Sequence, residues 1–109
     1  MELIEKEEKY EFIPDPFRNT SSGFMGMMVD PAYNGGGMDT LSYVLAMEEI
    51  SKIDASCSVA MSVNNSLVCW GLDKYGSHEQ KEKYLKPLAA GEIIGAFCLS
   101  EPEAGSDAT

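Results

Sequence analysis

The sequence predicts a mainly helical fold that runs, near its C-terminal end, into a single β-strand. Three observations carry that prediction. From Asp39 onward, apolar residues recur at spacings of three and four, the period of a helix with one buried face. Asp39, Asp54 and Ser77, all good N-terminal caps, stand ahead of successive periodic stretches. At Ile93 the helical period gives way to the continuous apolar run "IIGAFCL", followed by a loop of Ser, Pro, Gly and Asp.

Taken in order, residues 2 to 12 are expected as a short helix, because Glu2 precedes Lys6 and Glu5 precedes Lys9 with the favourable i, i+4 polarity. Pro14 and Pro16 break it, and "RNTSSG" reads as a flexible connection. The Met-rich stretch "GFMGMMVDPAY" leads to "NGGGMD", whose three glycines imply a turn or a close backbone approach. No G-x-G-x-x-G spacing and no following Gly-Lys-Ser/Thr accompany them, so a turn leading into a helix is expected rather than a nucleotide loop.

The first long helix starts after Asp39, with Leu41, Val44, Leu45, Met47, Ile50 and Ile53 as its inward face. Asp54 caps the next, "ASCSVAMSVNNSLVCWG", in which Ala55, Ser56, Ser58, Ala60 and Ser62 alternate with Val59, Met61, Val63, Leu67, Val68 and Trp70. Small side chains on several faces let neighbouring helices approach, as in the central helix of a bundle; Gly71 or Gly76 marks its end. Ser77 and Gln80 form a capping box that opens a further helix, with Tyr84, Leu85 and Leu88 inward, a Glu79–Lys83 pair outside, and Pro87 and Gly91 closing it. His78 lies in the first turn of that helix, a solvated position with no serine or cysteine to use it as a base. A lone strand presents unpaired backbone groups on both sides, so the chain is expected to cross a domain boundary near Gly91.

Eight basic against eighteen acidic side chains give a net charge of -10, which repels polyphosphates and makes nucleic acid an unfavourable partner. Cys57, Cys69 and Cys98 contain no C-x-x-C pair and cannot all pair within one chain, so three reduced and mostly buried thiols are expected. The best apolar stretch, "SVAMSVNNSLVCWG", is interrupted by Asn64 and Asn65 and is too short to span a bilayer. The acidic start "MELIEKEEKYEF" is unlike a targeting peptide, and a soluble, cytoplasmic chain is the expectation.

From Gly23 to Thr109, "GFMGMMVDPAYNGGGMDTLSYVLAMEEISKIDASCSVAMSVNNSLVCWGLDKYGSHEQKEKYLKPLAAGEIIGAFCLSEPEAGSDAT" resembles the N-terminal part of an acyl-CoA dehydrogenase, most like the short-chain, butyryl-CoA type of bacteria. Its most specific piece, "FCLSEPEAGSD", resembles the family's signature at the start of a middle β domain. The resemblance implies a divergent segment 1–22, a partial N-terminal helical domain 23–92, and the start of the middle β domain at 93–109. It also implies an FAD-dependent oxidoreductase that oxidises the Cα–Cβ bond of an acyl-CoA, passes electrons to an electron-transferring flavoprotein, and works as a homo-oligomer.

On the same resemblance Phe97, Cys98, Leu99, Ser100, Glu101, Pro102, Glu103, Ala104, Gly105 and Ser106 line the cofactor site. Leu99 and Ser100 lie near the flavin ring, and Ser106 meets both the FAD pyrophosphate and the acyl-CoA. The chemistry of the loop agrees, since a strand end followed by Gly105-Ser106 can aim N–H groups and a hydroxyl at an anion without a lysine. Pro102 stiffens the turn, and Gly105 admits a close ligand. Two positions depart from the family pattern: residues 1–22, and Asn34, which stands where a glycine is usual but tolerates left-handed backbone. The family's catalytic base is a carboxylate of a C-terminal helical domain. None of Glu48, Glu49, Glu101 and Glu103 matches it, so the chain by itself is expected to be inactive. A non-catalytic helical module that packs against a partner, and a gene fragment without function, are the alternatives.

Overall fold

The computed structural model describes residues 23–108, and the short helix expected at residues 2 to 12 lies outside them. Two 3₁₀ turns, Phe24–Gly26 and Pro31–Tyr33, precede three helices. Helix α1 is Thr40–Ile53. Helix α2 starts as Ala55–Ser62, widens into a π stretch at Val63–Cys69, and finishes as Trp70–Tyr75. Helix α3 runs through His78–Gln80, a second π stretch at Lys81–Leu85, and Lys86–Ala90.

The leading segment doubles back on itself. Asp30 accepts a hydrogen bond from the Ala32 amide at 2.8 Å to start the second turn, and Asn34 closes it with a left-handed φ of 64°. The glycine run then returns alongside residues 26–29: Gly36 N donates to Gly26 O (2.8 Å), Gly37 N to Val29 O (2.9 Å) and Met38 N to Met27 O (2.8 Å). A Cβ at Gly35 would fall inside the backbone of Val29, so the close approach expected from three glycines is what the turn uses.

Each expected cap is formed. Asp39 accepts from the Ser42 amide, Asp54 from the amides of Ser56 and Cys57, and Ser77 and Gln80 close a reciprocal capping box. Gly76, not Gly71, ends α2, and Gly91 closes α3 with a φ of 75°. Pro87 lies within α3 rather than after it; the preceding wide turn is where the helix departs from the regular ladder that a proline interrupts.

The core has two parts. One gathers Val29, Cys69, Leu85, Leu88 and Ala89, with Tyr33, Val68 and Leu72 packed on it; the other gathers Met27, Tyr43 and Met61, with Met28, Ala46, Met47 and Ile50. Fully buried side chains such as Met61 and Leu85 contribute about 1.5–3 kcal/mol each. Met25, Gly26, Met27 and Val29 of the leading segment are buried and Met28 is half-buried, so its methionines pack inward. Small residues do bring α1 and α2 together: Ser58 is buried, its hydroxyl 2.6 Å from that of Ser51, and Tyr43 Oη lies 2.8 Å from Ser66 Oγ.

Several sequence expectations are corrected. The inward stripe of α1 is Tyr43, Ala46, Met47 and Ile50, whereas Leu41 (66%), Val44, Leu45 and Ile53 (89%) are exposed. The helix carries apolar residues on two adjoining faces, and α2 covers one of them. On α3, Leu85 and Leu88 are buried as expected but Tyr84 is exposed beneath the Lys83 ammonium, and the ion pairs formed there are Lys86–Glu82 (2.6 Å) and Lys81–Asp73 (3.2 Å) rather than Glu79–Lys83. Residues 94–100 form no strand, because among the described residues no other extended segment is present to pair with them. Only Cys69 of the three thiols is buried; Cys57 is half-buried, Cys98 is exposed, and all three are free. No helix of the described residues is long and apolar enough to cross a membrane.

Candidate functional site

The segment carrying the expected cofactor residues leaves the helical body at Gly95, whose amide donates to Asn64 Oδ1 at 2.9 Å. Beyond it, residues 96–100 form no regular secondary structure. Phe97 and Leu99 are exposed (52% and 57%), and so is Cys98 between them. Among the described residues, the N–H and C=O groups of residues 96–100 make no hydrogen bond, so a row of donors and acceptors stands beside two apolar side chains.

A tight turn follows. Glu101 N donates to Ala104 O (2.9 Å) and Ala104 N to Glu101 O (3.1 Å), which puts Pro102 and Glu103 at the tip. Ser100, Gly105 and Ser106 are exposed, and a side chain built at Gly105 meets no atom within 4 Å. The turn thus leaves Gly105 and Ser106 open to a ligand. The acidic side chains of Glu101 and Glu103 flank the same turn and are exposed, so an anion held there relies on N–H groups and the Ser106 hydroxyl, with its countercharge coming from elsewhere.

Between the start of this segment and α2 lies an open apolar groove of about 360 Å³, lined by Leu67, Val68, Leu72, Tyr75, Ala96 and Phe97. Phe97 therefore belongs both to the groove and to the expected cofactor wall. The ten residues expected at the site are contiguous and exposed except Ala104, which is half-buried. They form one wall and do not enclose a ligand.

His78 is exposed on α3, as expected, but it has a partner: Tyr33 Oη lies 3.3 Å from its Nδ1. Tyr33 also lies under the Lys81 ammonium, 5.6 Å from the ring centre, so these groups tie α3 to the leading segment. Burial, with a smaller contribution from the Asp73 carboxylate, pushes the Cys69 thiol up to about 12, which marks it as a packing residue rather than a nucleophile.

The residues that sequence reasoning missed are Asn64 and Asn65. Both are fully buried in the π stretch of α2, where the wider turn brings successive side chains closer in direction than a regular helix does. Asn64 Nδ2 donates to Met25 O (2.8 Å) and Leu88 O (3.1 Å). Asn65 Oδ1 accepts from Met27 N (2.8 Å), while its Nδ2 donates to Phe24 O (2.8 Å) and Met61 O (2.9 Å). The signal was present in the sequence: two amides side by side in a helix otherwise built of apolar and small residues.

Comparison with known proteins follows this geometry. Residues 2–92 match the model for "Acyl-CoA dehydrogenase, N-terminal domain". That match begins ahead of Gly23 and ends at Glu92. The short-chain-specific acyl-CoA dehydrogenase of Clostridium acetobutylicum is 47% identical over 85 residues, 78% of this chain and 22% of that protein. An acyl-CoA dehydrogenase of Bacillus subtilis is 41% identical over 107 residues, 98% of this chain and 28% of that protein. Among solved structures, butyryl-CoA dehydrogenase from Megasphaera elsdenii superimposes with a TM-score of 0.74 at 41% identity, covering 84% of this chain and 25% of the other. The chain thus spans about a quarter of the length of these relatives.

Proposed function

This chain belongs to the acyl-CoA dehydrogenase family through its N-terminal domain, and from that premise we propose that it supplies the helical body and the first flavin-contacting wall of a short-chain acyl-CoA dehydrogenase. The observation that carries the reading is the exposed stretch Phe97–Ser106, where the backbone of residues 97–100, unbonded among the described residues, two apolar side chains and an open Gly105-Ser106 turn stand together.

These residues fit FAD in part. A flat ring with a polar rim suits the apolar faces of Phe97 and Leu99 and the free backbone groups beside them, with Ser100 next in line. The pyrophosphate finds N–H groups and the Ser106 hydroxyl but no cation in the turn. When bound, FAD supplies the hydride acceptor for α,β-dehydrogenation of a short-chain acyl-CoA. In this reading the chain's own residues orient the ring and exclude water through Phe97 and Leu99, and Ser106 donates to phosphate and thioester groups.

Removal of the substrate α proton falls to a carboxylate in the part of the relatives that lies outside the matched region. Transfer of electrons to an electron-transferring flavoprotein and assembly as a homo-oligomer belong to the same complete enzyme. By itself the chain is inactive in this reading. A second reading, a helical module that packs against a partner, is favoured by one observation: the exposed stripe Leu41, Val44 and Leu45 on α1.

The test is to continue the chain in frame with the middle and C-terminal domains of a butyryl-type relative. A flavoprotein whose colour bleaches with a short acyl-CoA is the expected product. A folded fusion that takes up no FAD would overturn the reading and leave the packing module.

A further inference from the structure

We infer that Asn64 is a positioning residue for the flavin-contacting segment, acting through the amide of Gly95. The inference rests on the reading of residues 97–106 given under the proposed function.

Asn64 is fully buried, and every polar atom of its side chain is engaged. Its amide nitrogen donates to the leading segment at Met25 and to the end of α3 at Leu88, with Cys69 Sγ of its own helix 3.6 Å away; its oxygen takes the Gly95 amide at 2.9 Å. Among the described residues, that is the only hydrogen bond between the backbone of residues 94–100 and the helical body. Gly95 is fixed sterically as well, since a Cβ there would come within 2.6 Å of Val68 Cγ1. Two residues on, Phe97 begins the exposed wall, so the placement of Gly95 fixes where that wall leaves the helical body. A side chain held by three parts of the core therefore sets the origin of the cofactor segment.

Asn65 provides the control. It is as deeply buried and makes three hydrogen bonds, yet its partners, Met27, Phe24 and Met61, lie in the leading segment and in α2, none in residues 95–106. A purely structural role for the pair predicts that replacing either does the same damage. A positioning role predicts that only Asn64 disturbs residues 95–106.

The first measurement needs no substitution: amide hydrogen exchange, residue by residue, on the full chain. Gly95 should be protected roughly tenfold or more beyond Ala96, Cys98 and Leu99. Equal exchange at Gly95 and Ala96 overturns the inference. The second compares Asn64→Leu with Asn65→Leu, where Asn64→Leu should strip the protection of Gly95 relative to the core and Asn65→Leu should not. If Asn64→Leu does not fold, Asn64→Asp, which keeps the acceptor facing Gly95, should fold less stably with Gly95 still protected; if neither folds, the exchange of the unsubstituted chain decides.

The third measurement uses the chain continued by a relative's middle and C-terminal domains, titrated with free FAD. Asn64→Leu should weaken FAD roughly tenfold, the loss expected when one hydrogen-bonded support is removed, and Asn65→Leu less than about twofold. Gly105→Val, at a position with space for a side chain, serves as the direct test of the loop. If Gly105→Val weakens FAD and Asn64→Leu does not, the inference is wrong while the flavin reading stands. If neither alters FAD, the flavin reading fails and the exchange data alone judge whether Asn64 positions the segment.

Discussion

The side chain of Asn65 accepts the Met27 amide at 2.8 Å and, through its own amide nitrogen, donates to Phe24 O and Met61 O. One helical residue thus completes the hydrogen bonding of a leading segment that belongs to no helix of its own at Met27. Asn65→Ala leaves a buried N–H and two carbonyls without these partners, at about 1–3 kcal/mol for each group left unpaired. We expect a loss of at least about 2 kcal/mol in urea unfolding. A loss below half that value would mean that water replaces the side chain and that the hub is not needed for stability.

Acid should loosen the junction between α1 and α2. The Ser56 hydroxyl, followed by the Cys57 amide, holds the Asp54 carboxyl down at about 2 from its ordinary 3.8. A carboxyl whose value is lowered on folding stabilises the native state above the unfolded value and ceases to do so as the pH falls through the folded one. Stability should therefore fall with pH between about 4 and 2. Asp54→Asn keeps a capping oxygen but does not titrate, so its unfolding midpoint should slope less steeply over that window. Equal slopes in the two proteins would remove Asp54 as the cause.

The three thiols should react in the order of their exposure. Cys98 is open to solvent, Cys57 is half-buried with its thiol 3.3 Å from Asp54 Oδ2, and Cys69 is buried with its thiol pushed up to about 12. An aromatic disulfide reagent at mildly alkaline pH should modify Cys98 first and Cys57 more slowly, leaving Cys69 until the chain unfolds. Mass spectrometry of the labelled peptides gives the order directly. Early labelling of Cys69 would show that the core around Val29 and Leu85 opens under native conditions.

The capping residues were legible in the sequence because caps act locally: Asp39, Asp54 and Ser77 each bond an amide two or three residues away. The glycine run was legible for the same reason. What periodicity left open was which of two apolar faces of α1 would be covered, since Leu41 and Val44 fit the helical repeat as well as Tyr43 and Met47 do. Asn64 and Asn65 escaped because their partners lie 38 or more residues earlier and 24 or more later, apart from Met61 and Cys69 on their own helix. The candidate site was legible only as a loop; the contact that aims it, Gly95 to Asn64, spans 31 residues.

The uncovered face of α1 should make the chain associate. Leu41, Val44 and Leu45 form one exposed stripe, and such patches mark interaction or aggregation surfaces. Leu41→Lys with Leu45→Lys should reduce sedimentation-detected association and hydrophobic-dye binding, while each change alters stability by no more than about 0.5 kcal/mol, as for exposed positions in general. A monomeric, dye-silent parent chain would remove the stripe as an interaction surface.

Ser106 is the residue on which the flavin reading is most exposed to test. It is solvent-accessible at the end of a turn whose tip is fixed by the paired bonds of Glu101 and Ala104, so removing its hydroxyl should leave the fold intact. In the chain continued by a relative's remaining domains, Ser106→Ala should weaken FAD or acyl-CoA by about 0.5–1.5 kcal/mol for a neutral hydrogen bond, and about twice that for one to an ionised phosphate. His78→Ala should leave both affinities unchanged, because its hydrogen bond goes to Tyr33 and, among the described residues, none goes to residues 97–106. Titration of both ligands into the two variants checks the pair together. Unchanged affinities for Ser106→Ala in a folded, FAD-binding fusion would move the anion contact to another residue of the turn, with the N–H groups around Gly105 as the next to examine by the Gly105→Val substitution.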